Sequence, residues 1–133
     1  MYLLSFSANR PSNLGVTDGQ LAALPDTPNG VSTQSGSSEQ RMKPLQMSGT
    51  AAEEMQRIKR VIEAQPRAKI VEQDSHYLHA EFTSMIFRFV DDVEFFIDDK
   101  DKVIQFRSAS RVGHSDLGAN RRRMNLLCEK INQ

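Results

Sequence analysis

Two neighbouring segments with a two-residue alternation constrain this chain most. Residues 86–97 and 103–110 flank the charged run Asp99-Lys100-Asp101-Lys102, which is typical of a hairpin loop. Because side chains alternate between the two faces of a strand, the odd-numbered positions of the first segment share one face, which is apolar except for Asp91. The segments are therefore predicted to be paired antiparallel strands, with this odd-numbered face turned toward a core.

The loop between them also sets a register. If Asp98 pairs with Val103, then Glu94 faces Arg107, and Asp92 lies diagonal to Arg107 and close to Arg111. These residues fall on the even-numbered face of the first strand. We expect that face to be an ion-pair ladder on the outer side of the sheet.

The flanking sequence predicts two helices and two more strands. Thr50-Ala51-Ala52-Glu53 is a capping-box pattern that starts a helix, and Pro66 ends it. Residues 68–73 and 76–83 follow as strands, and a last helix begins at Ser115 as N-cap. The apolar positions are Ala51, Met55, Ile58 and Ile62 in the first helix, and Leu117, Met124, Leu127, Cys128 and Ile131 in the last. The predicted fold class is α+β, a four-stranded antiparallel sheet with both helices packed on one face.

The first part of the chain differs from the rest. Residues 1–47 contain four of the five prolines, and residues 32–40 are almost all small or polar. Such a composition favours an extended or flexible arm with little regular structure. We expect an arm over residues 1–47, followed by one domain over residues 48–133.

A polar cluster is predicted where the hairpin meets the last helix. Asp91 lies on the core face opposite Ser110, and a carboxylate there must find hydrogen-bond donors. The candidate ligand-binding residues are Asp91, Arg107, Ser108, Ser110, Arg111, Asn120 and Arg121. Two interpretations stay open. The cluster is a buried latch that fixes the last helix, or it lines a pocket for a small anion.

Charge and composition disfavour some classes of binding partner. Lys plus Arg number 17, as do Asp plus Glu, so the net charge is zero. A neutral chain is a poor candidate for broad binding to nucleic acid or to anionic membranes. Arg121-Arg122-Arg123 is the only basic run, and a solvated helix face explains it. No segment has the length of a transmembrane helix, and the apolar start of the chain is shorter than a signal segment.

Catalytic and metal motifs are weak. Ser108, His114 and Asp116 lack the sequence context of a nucleophile elbow, so a hydrolase triad is disfavoured. His76 and His79 are expected on opposite strand faces, as two surface histidines. The sequence has no phosphate loop or dinucleotide fingerprint, and we predict no cofactor and no metal. The single cysteine, Cys128, is expected to be a buried thiol.

Three motifs resemble a known family, the domain of unknown function 1499. The longest is the run 107–121, RSASRVGHSDLGANR; the second is residues 89–94, FVDDVE; and a third lies at residues 25–32, PDTPNGVS. The family has no established activity, so the resemblance implies no catalytic role. It does imply cysteines at the positions of Leu24 and Gly30, suited to a disulfide in exported or membrane-attached members. Their joint absence favours a reducing, cytoplasmic compartment for this chain.

Three functional hypotheses follow. The leading one is a non-catalytic binding or interaction domain that recognises a small anionic ligand or a protein partner through the predicted cluster. The second is an enzyme that uses Asp91 with Arg111 or Arg121 for acid–base or anion-stabilising chemistry. The third is a structural homodimer that hides one face of the sheet.

Overall fold

The hairpin predicted from the sequence forms the centre of a larger sheet in the computed structural model, which describes residues 9–86, 88–113 and 116–133. The strands are β1 (Val16–Thr17), β2 (Gln20–Leu21), β3 (Gly30–Ser32), β4 (Leu45–Gln46), β5 (Ala68–Gln73), β6 (Tyr77–Thr83), β7 (Val90–Asp98) and β8 (Val103–Ser110). The helices are α1 (Ala51–Glu63) and α2 (Ala119–Ile131).

The main sheet has six strands, so the prediction of four was too low. Its order is β3-β8-β7-β6-β5, with β4 also paired to β8, and all these pairings are antiparallel. The two additional strands come from the arm and are only two or three residues long. Strands this short show no alternation in the sequence, and only their pairing with β8 makes them extended.

The predicted hairpin register is confirmed. Asp98 pairs with Val103, Glu94 with Arg107, and Asp91 with Ser110. On the inner face, the Phe95 and Phe106 rings pack with their centroids 6.2 Å apart. The register therefore brings the aromatic side chains together in the core.

The start of β7 was predicted too early. The strand begins at Val90, and Ile86 and Phe89 are exposed by 77% and 40% instead of packing in a strand. Arg88 has a φ of +58°, which interrupts an extended backbone, and the Ser84 amide donates to the Phe89 carbonyl. The described residues between β6 and β7 thus form a turn in place of the predicted strand start, and Phe87 lies outside the described residues.

The first helix begins as predicted. The Thr50 side chain accepts from the Glu53 amide at 3.2 Å, and the Glu53 carboxylate accepts from the Thr50 amide at 2.9 Å. This reciprocal capping box satisfies two backbone donors of the first turn. The helix ends at Glu63, ahead of Pro66.

The last helix begins three residues later than predicted. Its N-cap is Gly118 rather than Ser115, which lies outside the described residues. Leu117 and Gly118 both have positive φ, so the helix cannot extend back through them. Leu117 is consequently 84% exposed and does not join the apolar face. The Asp116 carboxylate accepts from the amides of Gly118 and Asn120, which supplies the cap.

Both helices pack on the same face of the sheet, as predicted. The α1 side chains Met55, Ile58 and Ile62 and the α2 side chains Met124, Leu127 and Ile131 join the inner face of β6, β7 and β8 in one core. Cys128 is partly buried beside this core, and burial raises the pKa of its thiol to about 11. Among the described residues, no helix is long and apolar enough to cross a bilayer.

The opposite face of the sheet is not a solvated ladder, which corrects the sequence-based expectation. Asp92, Glu94 and Arg107 are 1%, 0% and 5% exposed. The arm covers them, since the Gly15 amide donates to Glu94 at 2.8 Å. Both faces of the central hairpin are therefore buried, one in apolar and the other in polar surroundings.

The two positions where the family resemblance implies cysteine are neighbours in space. A Cβ atom added to Gly30 would lie 2.9 Å from Leu24 Cδ2, from Ala109 Cβ and from the Ser108 backbone oxygen. Leu24 therefore fills part of the space that a side chain at position 30 would need. Gly30 leaves room for Leu24 at this contact, and any larger residue at position 30 would also press on β8.

Replacing Gly30 by Ala should destabilise the protein by roughly 1–3 kcal/mol, because the added methyl group overpacks the contact between β3 and β8. Urea unfolding measures this change. Gly36→Ala is the matched control, since nothing lies within 4 Å of its added Cβ. Equal stability of the two variants would contradict the close packing at Gly30.

Candidate functional site

A polar group on the inner face joins the sheet to α2. We call Asp91, Ser108, Ser110, Asn120 and Arg123 the inner cluster. Asp91 is 8% exposed, and its Oδ2 lies 2.8 Å from Arg123 Nη2. The Arg123 guanidinium also lies 5.1 Å from the centroid of the Phe82 ring. Arg123 therefore neutralises the carboxylate that the sequence placed on the core face.

Asn120 is the centre of the inner cluster and is fully buried. Its Oδ1 accepts from Ser108 Oγ at 2.5 Å and from Arg123 Nη1 at 2.9 Å. Its Nδ2 lies 3.0 Å from Ser110 Oγ and 3.1 Å from the Asn29 carbonyl oxygen. One amide thus ties α2, β8 and the arm together, which is the arrangement of a structural latch.

Arg121 is not part of this cluster, which corrects the sequence-based prediction. Its Nη2 donates to the Glu39 carbonyl at 2.6 Å, on the exposed side of α2. The inward positions of α2 are Asn120, Met124, Leu127 and Ile131, which follow helical spacing. Arg123 precedes one of these positions and can reach inward, whereas Arg121 points away.

The predicted site divides between the two faces of the sheet. Asp91, Ser108, Ser110 and Asn120 do come together on the inner face. Arg107 and Arg111 lie on the other face, because alternate residues of β8 and its extension point to opposite sides. Asp91 and Arg111 therefore do not act on one small ligand from the same face.

The other face carries a second polar group, which we call the outer cluster. Its members are Tyr77, His79, Glu81, Asp92, Glu94, Arg107 and Arg111. They are brought together by the register of three strands, in which Glu81 pairs with Asp92 and His79 with Glu94. Arg10 of the arm forms an ion pair with Glu81, with 2.7 Å between Arg10 Nε and Glu81 Oε2. With Arg10 included, three arginines face three carboxylates.

Arg111 is the most strongly bonded residue of the outer cluster. Its Nε and Nη2 donate to the two Asp92 oxygens at 2.8 and 2.9 Å, and Nη2 also donates to Glu81. This two-point contact is the geometry that favours arginine over lysine. The Asp92 hydrogen bonds raise the pKa of Arg111. Burial alone would raise the pKa values of Asp92 and Glu81, but their hydrogen bonds to arginine outweigh burial and lower both.

Arg107 holds the arm to the sheet. Its Nε donates to the Ala22 carbonyl at 2.9 Å and its Nη2 to the Ala23 carbonyl at 3.1 Å. Its Nη1 lies 3.5 Å from Glu94 Oε1. Burial lowers the pKa of Arg107, and the nearby Glu94 opposes this effect. One edge of the guanidinium thus donates hydrogen bonds to the backbone of the arm, and its remaining nitrogen faces the Glu94 carboxylate.

Glu94 and His79 complete the buried part of the outer cluster. Glu94 Oε2 accepts from the Tyr77 hydroxyl, and burial together with this bond raises the Tyr77 pKa. His79 Nε2 lies 2.7 Å from Asp92 Oδ1, and His79 is only 2% exposed. The expectation of two surface histidines is therefore wrong for His79, although His76 is exposed and contacts Asp99.

One trio in the outer cluster has the donor types of a metal site. His79, Glu81 and Asp92 offer ligand atoms that all lie within 4.8 Å of one another. Arg111 already bonds to both carboxylates, and the short contact of His79 Nε2 with Asp92 requires a hydrogen on that nitrogen. These donors are used within the protein, so the trio fits an arginine-centred network better than a metal ion.

A cleft opens beside the outer cluster, between the arm and the end of β8. This arm cleft has a volume of about 310 Å³, and its sheet side carries Arg107, Ser110 and Arg111 together with Asp92. Its other side is formed by five residues of the arm: Pro11, Asn13, Ala23, Leu24 and Pro25. A second cleft of about 600 Å³ lies within the arm, but Asp26 is the only ionisable residue that lines it. The smaller cleft is therefore lined by more ionisable residues and is the better candidate for binding a charged ligand.

The comparisons with known proteins agree with the motifs. A family model described as "Protein of unknown function (DUF1499)" matches residues 20–131. Since the match covers most of the chain, this protein belongs to that family. A search of curated proteins finds no match.

Four residues of the two clusters were assigned neither to a site nor to the ion-pair ladder from the sequence: Arg123, Tyr77, His79 and Glu81. Arg123 was assigned to a solvated face, because Arg121 was expected to be the arginine of α2 that turns inward. Tyr77 and His79 share strand parity with Glu81, and this alternation was a usable signal. Once β6 is paired with β7, the same parity sets His79 beside Glu94 and Asp92.

Removing Arg123 should cost more stability than removing Arg121. Arg123→Gln leaves Asp91 buried without its ion pair, and breaking such a pair costs roughly 3–5 kcal/mol when burial is complete. Because Arg123 is partly exposed, we expect a smaller loss, which urea unfolding measures. Arg121→Gln is the matched control and should change stability little. A larger effect of Arg121→Gln would contradict the latch.

Asp92 should stabilise the protein at neutral pH but not in acid. Its pKa is lower in the folded protein than its ordinary value of 3.8, so its contribution is present above that value and is lost as pH falls through the folded pKa. Asp92→Asn should therefore be destabilised at pH 7, and its deficit should shrink at low pH. Urea unfolding across this pH range tests the prediction, with exposed Asp101→Asn as control. A deficit independent of pH would rule out this linkage.

Proposed function

We propose that this protein is a non-catalytic binding domain that holds a small anion in the arm cleft. The proposal rests on Arg107 and Arg111, which the sequence indicated and which line the same cleft. Ser110 also lines it, but its hydroxyl bonds to Asn120 in the inner cluster. The cleft volume is at the lower end of the range of small-molecule sites. Most of its ionisable groups are held in place by other parts of the protein, as a preorganised site requires.

The observation that carries the proposal is how the two guanidinium groups are used. Each bonds through Nε and Nη2, Arg107 to two arm carbonyls and Arg111 to carboxylates of the outer cluster. Within the described residues, Arg111 Nη1 makes no hydrogen bond, and Arg107 Nη1 has only its 3.5 Å contact with Glu94. Among the described residues, Arg111 Nη1 is therefore available to an oxyanion at the cleft, whereas Arg107 Nη1 is engaged only by a long contact with Glu94.

The charge balance of the outer cluster narrows the class of anion. Three arginines already face three carboxylates, so the cluster is neutral before any ligand binds. A polyanion would meet Asp92 at the cleft wall without a matching excess of positive charge. A singly charged carboxylate needs less compensating charge, and the arginine N–H groups at the cleft could donate hydrogen bonds to it. We therefore favour a small monocarboxylate over nucleotides or polyphosphates.

Thermal unfolding with a panel of anions tests the proposal. Formate, acetate, larger monocarboxylates, phosphate, citrate and ATP are compared at constant ionic strength. A ligand at a hundred times its Kd adds roughly 2.7 kcal/mol to the free energy of unfolding, so the Tm should rise by several degrees. We expect monocarboxylates to raise it and ATP to have no specific effect.

Charge-conserving variants separate binding from stability. Arg107→Lys and Arg111→Lys keep the charge but lose the Nη1 donor, so the ligand-dependent rise should disappear while unfolding stays cooperative. Arg122→Lys, an exposed arginine on α2, is the matched control and should retain the rise. If no anion raises the Tm of the unmodified protein, or if Arg111→Lys responds equally, the arm cleft is not an anion site.

A further inference from the structure

One end of the sheet exposes a cluster of large apolar side chains. Met85, Ile86 and Phe89 are exposed by 67%, 77% and 40%, and all lie in the connection from β6 to β7. We call these three residues the apolar tip. Leu117, 84% exposed, lies at the same end, where β8 leads to α2. Among the described residues, only one other large apolar side chain, Leu126, is comparably exposed.

The apolar tip has a defined base. The Ser84 amide donates to the Phe89 carbonyl at 2.9 Å, and Ser84 Oγ accepts from the Phe89 amide at 2.8 Å. These two bonds close a short turn that carries Met85 and Ile86 beyond the ends of the strands. Two consecutive apolar residues exposed this far indicate a convex surface that contacts something outside the domain.

Positive charge surrounds the apolar tip. The exposed Arg88 precedes Phe89 in the chain, and the exposed Arg67 donates through Nε to the Thr83 carbonyl at 3.2 Å. The sequence between Glu81 and Asp91 contains no acidic residue. These two bordering carboxylates are themselves paired with arginines. Although the whole chain is neutral, this end of the sheet has a local excess of positive charge.

We propose that the apolar tip inserts into the surface of an anionic lipid bilayer, with Arg67 and Arg88 at the level of the headgroups. Apolar side chains next to arginines match the apolar interior and anionic surface that a bilayer presents together. A stable protein partner needs roughly 800 Å² of complementary surface on each side. A turn with three large apolar residues offers much less, whereas a bilayer adapts to a small convex tip. This interaction is separate from the proposed anion cleft.

Vesicle co-sedimentation of the full chain tests the proposal. Vesicles of phosphatidylcholine alone are compared with vesicles that also contain phosphatidylserine, at low and high salt. We expect binding to the mixed vesicles and a decrease with added salt, because the electrostatic part is screened. Met85→Ser combined with Ile86→Ser should weaken binding by about tenfold or more, since the inserted apolar area is lost. Arg67→Gln combined with Arg88→Gln should remove the preference for phosphatidylserine.

Matched variants test whether the loss of any exposed apolar side chain or any positive charge would weaken binding equally. Leu126→Ser removes an exposed apolar side chain from α2, and Lys100→Gln with Lys102→Gln removes two charges from the opposite end of the sheet. Both should bind as the unmodified protein does. The variant with Met85→Ser and Ile86→Ser should keep its Tm, since both side chains are exposed. Absence of binding to the mixed vesicles, or equal binding by the tip variants, overturns the proposal. Self-association that depends on Met85 and Ile86 without vesicle binding would assign the tip to a second copy of the chain and also overturn it.

Discussion

The pairing of β7 with β8 decides what both faces of the sheet contain. Val93 and Phe95 face the helices, while Asp92 and Glu94 face the arm, and all four are buried. A shift by one residue would move the carboxylates into the apolar core and the apolar side chains under the arm. Such a shift would leave the buried carboxylates without hydrogen-bond partners. The observed register is therefore strongly specified. The latch to α2 and the outer cluster both depend on it.

The buried charges make the arm an integral part of the fold. Removing a carboxylate or a guanidinium from water costs several kcal/mol unless partners replace the water. The arm provides such partners through the Gly15 amide, the Ala22 and Ala23 carbonyls and the Arg10 side chain. Strands β3 and β4 attach it further to β8. The described part of the arm, residues 9–47, is thus held against the sheet, because it satisfies groups that the sheet alone would leave unpaired.

Both proposed interaction sites, the arm cleft and the apolar tip, lie at the same end of the sheet. The arm cleft lies where β8 ends, and the apolar tip lies where β6 passes to β7. The two are linked by the Arg111 amide, which donates to the Val90 carbonyl at 3.2 Å. The opposite end carries the solvated turn of Asp99 to Lys102. An anion site and a surface-contacting tip could therefore operate at the same end without sharing side chains.

The sequence by itself determined the elements that rest on local rules. The capping box at Thr50, the α1 stripe, the β7–β8 register and the grouping of Asp91 with Ser108, Ser110 and Asn120 all follow from periodicity and short-range hydrogen bonding. Tertiary structure decided the rest. Strands β3 and β4 exist only through pairing with β8. Arg123 takes the place predicted for Arg121, because its guanidinium reaches Asp91 whereas that of Arg121 reaches the Glu39 carbonyl. The burial of Asp92, Glu94 and His79 depends on where the arm lies. That position is set by contacts between residues some 80 positions apart, which no local pattern encodes.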